Sequence, residues 1–521
     1  MKAARFKFQI VLILVLCALQ NPVSGQAPFW EWAISVNGLS QLHCNKVQAI
    51  DGGCFTTANY ANSLILPNDT LTGSSYMTFT NSSGELRMGI AMTEPQQLFD
   101  IGNGRIGFAS TINSSFRIGA EDYPSLQGIG LITGSLDTTG IVSDVHHMPN
   151  LIVGNGNGRV IDVHQGANGN LFVLGTMEDS VAISDTVLYG SGSYFARFAE
   201  TGELIRADTF DITPLGFANG SNDFGCIVEG VDGTVYLAVV QDNFQNQSTL
   251  GEGLLLIALG PDNNILRVWA NGNWSFYEDG EPYIAAHPDG GTYLAHQQYS
   301  PSIGSNFINV MRFSSTGEVL WENTIATPTT GSFNARPSKI ETTDLGVLIS
   351  GFSNYRLTIP GLEYMTYGPN CIVYELSEEN ELLWAISETG GNIFGAQASK
   401  NSAGEVYAAG WRELQSQFGP HELPVGPNST SGYIARIGYG WLGIEEHLSS
   451  AFGVHPNPAA STVHFSQHFE PGTELRIFDA SGRRVMSRVL GSRTSAVDIS
   501  DLVPGIYLLR IGDRQVRIVK Q

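Results

Sequence analysis

The chain has 521 residues, 42% of them hydrophobic and only 15% charged, with 60 glycines and a formal net charge of −22. That length predicts two or more domains, and a glycine-rich, charge-poor composition predicts strands and turns rather than long helices. The acidic balance excludes a chain that binds nucleic acid or an anionic lipid surface through its bulk charge.

Residues 1–25 read as a secretory signal. Lys2, Arg5 and Lys7 precede the apolar run Phe8–Leu19, and Val23-Ser24-Gly25 supplies the small residues of a cleavage site. The run is short for a membrane span, and no later stretch is apolar enough to make one. Leu16 is bulky where a lipid-anchored Cys17 would need a small neighbour. Export permits disulfides among Cys44, Cys54, Cys226 and Cys371. For the nearest pair, a hairpin turn at Asp51-Gly52-Gly53 sets Cys54 opposite about Ile50. Cys44 then lies roughly 20 Å away, beyond the about 7 Å that a disulfide spans. Buried free thiols in strands are the expectation.

From residue 27 to 441 the sequence repeats. "VHQGANGNLFVLGT" (163–176), "IVEGVDGTVYLAVV" (227–240), "IAAHPDGGTYLAHQ" (284–297) and "IETTDLGVLISGF" (340–352) each join a short run, a glycine turn and an alternating apolar run. That is a β-hairpin pattern. Weaker copies at 49–58, 100–110 and 400–410 bring the turn glycines to seven: Gly52, Gly104, Gly169, Gly233, Gly290, Gly346 and Gly404. A second strand–turn–strand element follows each of the first six, as in "YFARFAETGELIRA" (194–207) and "NVMRFSSTGEVLWE" (309–322). The seventh repeat ends at "GYIARIGYG" (432–440) without its last strand, while "FWEWAISVNG" (29–38) echoes "ELLWAISETG" (381–390) near the other terminus. A split repeat favours a ring, in which the N-terminal strand completes the last sheet and protects its edge. The expectation is an all-β protein: a seven-bladed β-propeller over 27–441, closed by an N-terminal strand. The repeats resemble those of bacterial secreted β-propellers that read "G…D.fvarf…G…W"; the resemblance implies a fold and an extracellular life, and no single activity.

After a linker at 442–451 the charge changes sign. Residues 452–521 hold nine basic and six acidic residues, against 15 and 43 for residues 26–451. Short alternating strands and turns at Asp479–Gly482 and Pro504-Gly505 predict a small Ig-like β-sandwich. "VHPNPAASTVHF" (454–465), "LRIFDASGRRVM" (475–486), "VDISDLVPGIYLLRI" (497–511) and "QVRIVK" (515–520) together resemble the type A C-terminal sorting domain of the type IX secretion system of Bacteroidetes. His455 stands where that family usually has Tyr. The resemblance places Pro456, Asn457, Pro458, Asp479, Gly482, Arg483, Leu502, Gly505, Tyr507 and Lys520 at signature positions. It implies export across the outer membrane, partnership with the type IX machinery and its sorting protease, removal of the tail, and a mature protein secreted or on the cell surface.

No catalytic, cofactor or metal site is assigned. The sequence has no His-Glu-x-x-His, Gly-x-Ser-x-Gly, phosphate loop or Asp-x-Asp-x-Asp-Gly loop. Asp51, Asp232 and Asp289 are turn residues beside glycines. Adjacent His146 and His147 point to opposite faces of a strand, so they cannot join His164 on one ion in regular geometry. Trp32, Trp269, Trp321 and Trp384 recur at one repeat position, which predicts packing between blades. Trp274, Phe276, Tyr277, Tyr299, Tyr355, Trp411 and Phe418 are the better candidates for ligand contact. Asp69-Thr70-Leu71, Asp179-Ser180-Val181 and Asp185-Thr186-Val187 resemble Bacteroidetes O-glycan acceptor sites. Two functions remain: a non-catalytic module binding a glycan or protein, or a hydrolase or lyase whose acids converge from several blades. Glu229, Glu341 and Asp344 are the first carboxylates to inspect for such convergence.

Overall fold

A computed structural model describes residues 28–439 and 454–521, apart from 38–40, 60–62, 67–68, 126–127, 156–158, 167, 191, 210–224, 242–252, 263, 272–280, 301–304, 326–332, 354–356, 360–361, 365–369, 389–391, 425–429, 456, 466–471, 480–483, 492–494 and 512–513. The signal segment and the linker lie outside the described residues. No helix among the described residues is long and apolar enough to cross a membrane. Contacts divide the chain into two units, Met1–Tyr439 and Gly440–Gln521.

The first unit is a series of four-stranded antiparallel meanders. His43–Ile50, Gly53–Asn59, Ser75–Asn81 and Leu86–Ala91 pair in sequence order. The pattern recurs at 97–155, 159–209, 225–271, 283–325 and 333–387. The last sheet is built differently: Pro28–Val36 pairs with Ser431–Tyr439, which pairs with Val406–Arg412, which pairs with Ile393–Lys400. The chain's first described strand thus supplies the missing fourth strand of its last sheet.

Glycine makes the turns possible. Six of the seven turn glycines have φ between 70° and 87°, a region that L side chains rarely occupy, and Gly346 sits at 148°. Second and third strands are nearly continuous apolar runs, such as "LFVLGTM" (171–177) and "GVLISGFS" (346–353), because both faces are covered. Their side chains merge into cores shared between neighbouring sheets: Leu348, Val373 and Ile386 pack with Ala396, Ala408 and Tyr433, residues of the next sheet.

First strands also touch their neighbours along the chain, from His43–Ile50 through each sheet to Ile393–Lys400, and Ile393–Lys400 touches His43–Ile50. A repeated latch joins the outer edges. Trp321 Nε1 (2.8 Å) and Arg312 (3.0 Å) donate to the carbonyl of Glu378 in the following sheet. Trp32 Nε1 (2.9 Å) and Arg436 (2.9 Å) donate likewise to Ser82, so the last sheet grips the first with the same two side-chain types. Arg206 and Arg267 play the part for Asp262 and Ser315.

Accessory hairpins interrupt several second-to-third connections: Ser63–Leu66 with Asp69–Thr72, Ser115–Ile118 with Glu121–Pro124, Ser180–Ile183 with Thr186–Tyr189, Leu357–Ile359 with Leu362–Tyr364, and Ser416–Phe418 with His421–Leu423.

The second unit has two sheets. Glu474–Asp479, Arg484–Val489, Gly505–Ile511 and Arg514–Lys520 form one; Val454–His455, Thr462–Phe465 and Ala496–Asp498 form the other. Leu475, Ile477, Tyr507, Leu509 and Ile518 of the first pack with Val463, Phe465 and Val497 of the second in a single core.

Candidate functional site

The first strands of the meanders surround a cavity of about 740 Å³. Its composition follows a register in the sequence. Counting seven residues back from each turn glycine gives Asn45, Gln97, Asp162, Cys226, Tyr283, Lys339 and Gln397. All but Asn45 line the cavity, and Asn45's neighbour Lys46 takes its place there. In four of the seven strands the ladder slips by one residue at this point, between Cys44/Lys46, Val160/Asp162, Pro337/Lys339 and Phe394/Gln397. Such bulges re-aim a side chain without ending the strand. One repeat position therefore delivers an acid, an amine, a phenol, a thiol and two amides to a common space.

Most of these groups are already engaged. Asp162 accepts from the backbone N–H of Val163 (2.9 Å) and, across the sheet boundary, of Ile227 (3.0 Å). Burial pushes its carboxyl up to about 7, against the pull of those two bonds and of Lys46. The Gln97 amide donates to His164 Nδ1 (2.8 Å) and accepts from the Gln165 N–H (2.6 Å). Burial holds the His164 imidazole down at about 4, so it is neutral at physiological pH. Lys339 pairs with Glu341 (2.9 Å) and donates to the Val47 carbonyl (3.0 Å) and to Gln48 (3.3 Å). Gln397 donates to the Ser338 carbonyl (3.2 Å). The Tyr283 hydroxyl donates to Glu281 (3.2 Å), and burial raises it well above the usual tyrosine value. Burial, reinforced by Asp162, keeps Cys226 a thiol rather than the thiolate that nucleophilic attack requires.

The three carboxylates singled out from the sequence do not meet. Glu341 lines the cavity. Asp344 sits on an exposed turn, paired with Lys400 at 2.9 Å. Glu229 packs against Gly166, where an added Cβ would fall 2.0 Å from its carboxylate. Sequence reasoning missed Asp162 and Gln97; the seven-residue offset from the turn glycines was the signal that could have found them.

The histidines are also separated. His146 and His147 pair opposite Thr133 and Ile132, His147 Nε2 contacts the Pro124 carbonyl at 3.0 Å, and His164 lies in the next sheet. Among the described residues no group of three His, Cys, Asp or Glu is placed to hold a metal ion. Cys44, Cys54, Cys226 and Cys371 are free thiols, with Cys44 opposite Ala58 and Cys54 opposite Ala49.

Aromatic residues divide sharply by role. Trp32 and Trp321 are latches, and Trp269 packs edge-on against Phe313 of the following sheet at 5.3 Å. Trp384 is buried in the core shared with the following sheet and also donates to Glu375 (2.6 Å), a fully buried carboxylate that takes Lys400 (2.9 Å) and Thr343 (2.6 Å). Phe418, a candidate for ligand contact, is buried against Trp30 at 4.9 Å, which corrects that expectation. Trp411 is sandwiched by His43 at 4.1 Å and Phe394 at 4.3 Å, so neither ring face is open to a sugar. Trp274, Phe276, Tyr277 and Tyr355 lie outside the described residues. Thr70 and Thr186 are exposed on accessory hairpins, whereas Ser180 is buried.

In the second unit the signature residues take structural places. Asn457 Oδ1 accepts from the Val519 N–H at 2.8 Å, and Lys520 pairs opposite Gly505. The Tyr507 ring is buried, and its hydroxyl donates to the Val503 carbonyl at 2.7 Å. Leu502 packs against the core, and Pro458 precedes Ala459, which bridges to Lys520. Asp479 ends the strand paired with Gly505–Ile511, while Pro456, Gly482 and Arg483 lie outside the described residues.

Residues 453–521 match the family described as the secretion system C-terminal sorting domain. The chain is a type IX secretion cargo, and its destination is the cell surface or the medium. None of the curated proteins matches it. Among solved structures it is similar to a Dyadobacter fermentans protein of unknown function, with 15% identity over 67% of this chain and 95% of that one (TM-score 0.37). It is also similar to the β-propeller domain of the Trilobed protease from Pyrococcus furiosus, with 9% identity over 76% and 96% (TM-score 0.38). A third is the NanB sialidase of Streptococcus pneumoniae, with 8% identity over 79% and 94% (TM-score 0.32). Likenesses this distant leave the chemistry to be argued from the chain's own residues.

Proposed function

We propose that the exported body, residues 27–441, is a seven-bladed β-propeller closed by its N-terminal strand, that the tail at 452–521 is an Ig-like sandwich serving as its address, and that the mature protein binds a glycan or protein without catalysing its conversion. The closed ring is supported by the cycle of first-strand contacts and by the common latch on Ser82 and Glu378. The ten signature residues would be what the secretion machinery and its sorting protease recognise.

One observation carries the binding reading. A single repeat position lines the axial cavity with chemically different side chains, and these are held by main-chain bonds and ion pairs rather than arranged as a reactive pair. Fixed donors and acceptors of varied type suit recognition of a polar ligand. The hydrolase or lyase reading has Asp162 in its favour, a carboxyl near neutrality beside Glu281. Each Asp162 oxygen is, however, tied to a main-chain N–H, Oδ1 to Val163 and Oδ2 to Ile227, which fixes the carboxyl as part of the strand framework.

The test is calorimetric titration of the full chain with a panel of polysaccharides and surface proteins, with product analysis of every mixture. A ligand bound by the parent and lost by more than tenfold in Gln97→Ala and Lys339→Met supports the reading. Release of smaller fragments, abolished by Asp162→Asn, overturns it in favour of catalysis.

A further inference from the structure

The residues that follow the bulges of the first strands meet in one space. Lys46, Asp162, Lys339 and Gln397 each stand directly after a slip in their ladder, and all four line the same cavity. Lys46 is therefore the counterpart of Asp162, two sheets away. Its charge reaches Asp162 and favours the ionised carboxyl, yet the two form no ion pair. Among the described residues the Lys46 ammonium has no hydrogen-bond partner; only its backbone N–H is bonded, to Thr57. Lys339 differs, because Glu341, the Val47 carbonyl and Gln48 already hold it. Asp162 takes one main-chain N–H on each oxygen, which fixes the carboxylate and leaves each oxygen able to accept again. The cavity thus contains an unengaged ammonium and a fixed acceptor, close enough to interact by charge but not joined.

Two ligand classes fit this space poorly. Its lining holds three cations, Lys46, Arg159 and Lys339, against four acids, Asp100, Asp162, Glu281 and Glu341, so a polyanion would meet as much repulsion as attraction. An extended peptide would need unpaired main-chain groups to add itself as a strand. Here side chains of one first strand cap the main chain of another. Gln97 takes the Gln165 N–H (2.6 Å), Asp162 the Ile227 N–H (3.0 Å) and Glu341 the Lys400 N–H (3.1 Å). Thr342 donates to the Ala286 carbonyl (2.7 Å) and Gln397 to that of Ser338 (3.2 Å). Recognition is left to side chains: amides such as Gln48 and Gln96, which both donate and accept, with one ammonium and one carboxylate. A hydroxyl group also does both. Two hydroxyls on adjacent carbons can give a proton to Asp162 and a lone pair to Lys46. A space of about 740 Å³ is within the range of small-ligand sites.

On the reading that this cavity binds without reacting, we infer that its ligand is a neutral sugar whose adjacent hydroxyl groups bridge Lys46 and Asp162. Neither charge then needs a counter-ion from the ligand, since each makes charge-assisted hydrogen bonds to a neutral group. Lys46 and Asp162 are the residues that select sugar over peptide.

The probes are neutral hexasaccharides of glucose, mannose, galactose and xylose, a polygalacturonate oligomer and a mixture of soluble ten-residue peptides, each titrated calorimetrically into the full chain. Lys46→Met and Asp162→Asn are compared with the parent after their unfolding curves are shown to match. The best-bound sugar is also compared with its O-methylated form on the parent alone, a measurement that needs no variant to fold. The bridge predicts that a neutral hexasaccharide binds and that each variant weakens it about tenfold or more, as loss of a hydrogen bond to a charged group does. Methylation should weaken it at least as much. A sugar bound equally well by both variants, or unaffected by methylation, overturns the assignment. Binding confined to the polygalacturonate or to the peptides also overturns it, but leaves the binding reading standing where Gln97→Ala abolishes that binding. Cleavage of any probe overturns both.

Discussion

Replacing Glu388 by glutamine is predicted to make the protein more stable at pH 8 and to leave it nearly unchanged at pH 5. Glu388 is 1% exposed, and both of its carboxylate oxygens lie 3.0 Å from the backbone N–H of Cys371. Burial pushes its carboxyl from 4.5 up to about 8. An acid whose folded value is raised binds its proton more tightly in the native state. Its favourable contribution is complete below pH 4.5 and is lost as pH climbs through 8. Each unit of difference is worth about 1.4 kcal/mol, so between pH 5 and pH 8 the parent should lose roughly 3 kcal/mol from this group. Glutamine keeps an oxygen for the Cys371 N–H and never ionises, so it escapes the loss. Seven of the eight tryptophans fall within the first unit, at residues 30–411, and only Trp441 lies beyond it, so denaturant unfolding followed by tryptophan fluorescence reports mainly on the first unit. The difference between parent and variant cancels the other titrating groups, Asp162, His164 and His296 included. A difference that is the same at pH 5 and pH 8, or that favours the parent at pH 8, would refute the reasoning.

Further expectations concern the turns, the latches and the surface. Gly404→Ala should cost about 1–2 kcal/mol, because φ is 82° and an added Cβ meets nothing within 4 Å. Gly346→Ala should cost roughly 3 kcal/mol or more, because its Cβ would fall 2.2 Å from the Leu376 carbonyl oxygen; paired unfolding curves compare the two. Trp321→Phe keeps the ring against Tyr293, 5.8 Å away, and removes only the bond to Glu378. It should cost about 1 kcal/mol, and a change beyond 3 kcal/mol would show that the latch does more than donate one bond. Peptide mapping of native protein should find any O-glycan on exposed Thr70 or Thr186 and none on buried Ser180; sugar on Ser180 alone would contradict the burial argument.

Much of the fold was legible because each repeat writes its turn in glycine. The seven positions read from sequence all adopt positive φ, and the Trp-Ala-Ile-Ser echo between residues 32–35 and 384–387 did mark equivalent fourth strands. Trp32 and Trp321 announced their role by recurrence. The accessory hairpins were not separated from loops, since arms of three or four residues such as Ser416–Phe418 carry too little alternation to read. The cavity was hidden for a different reason. Asp162, Lys339 and Gln397 share a position but not a residue type, so similarity between repeats does not reveal it. The bulges that turn those side chains are properties of the ladder, not of composition. Phe418 is closed to a ligand because its short hairpin folds back on Trp30, a long-range contact that local sequence does not carry.

The most direct measurement is the intact mass and location of the protein in its native host. The account predicts a mature chain outside the cell, on its surface or in the medium, that lacks the N-terminal signal and the sorting domain at 453–521. Full-length protein retained in the periplasm, with residues 453–521 still attached, would contradict it and make the tail part of the working molecule.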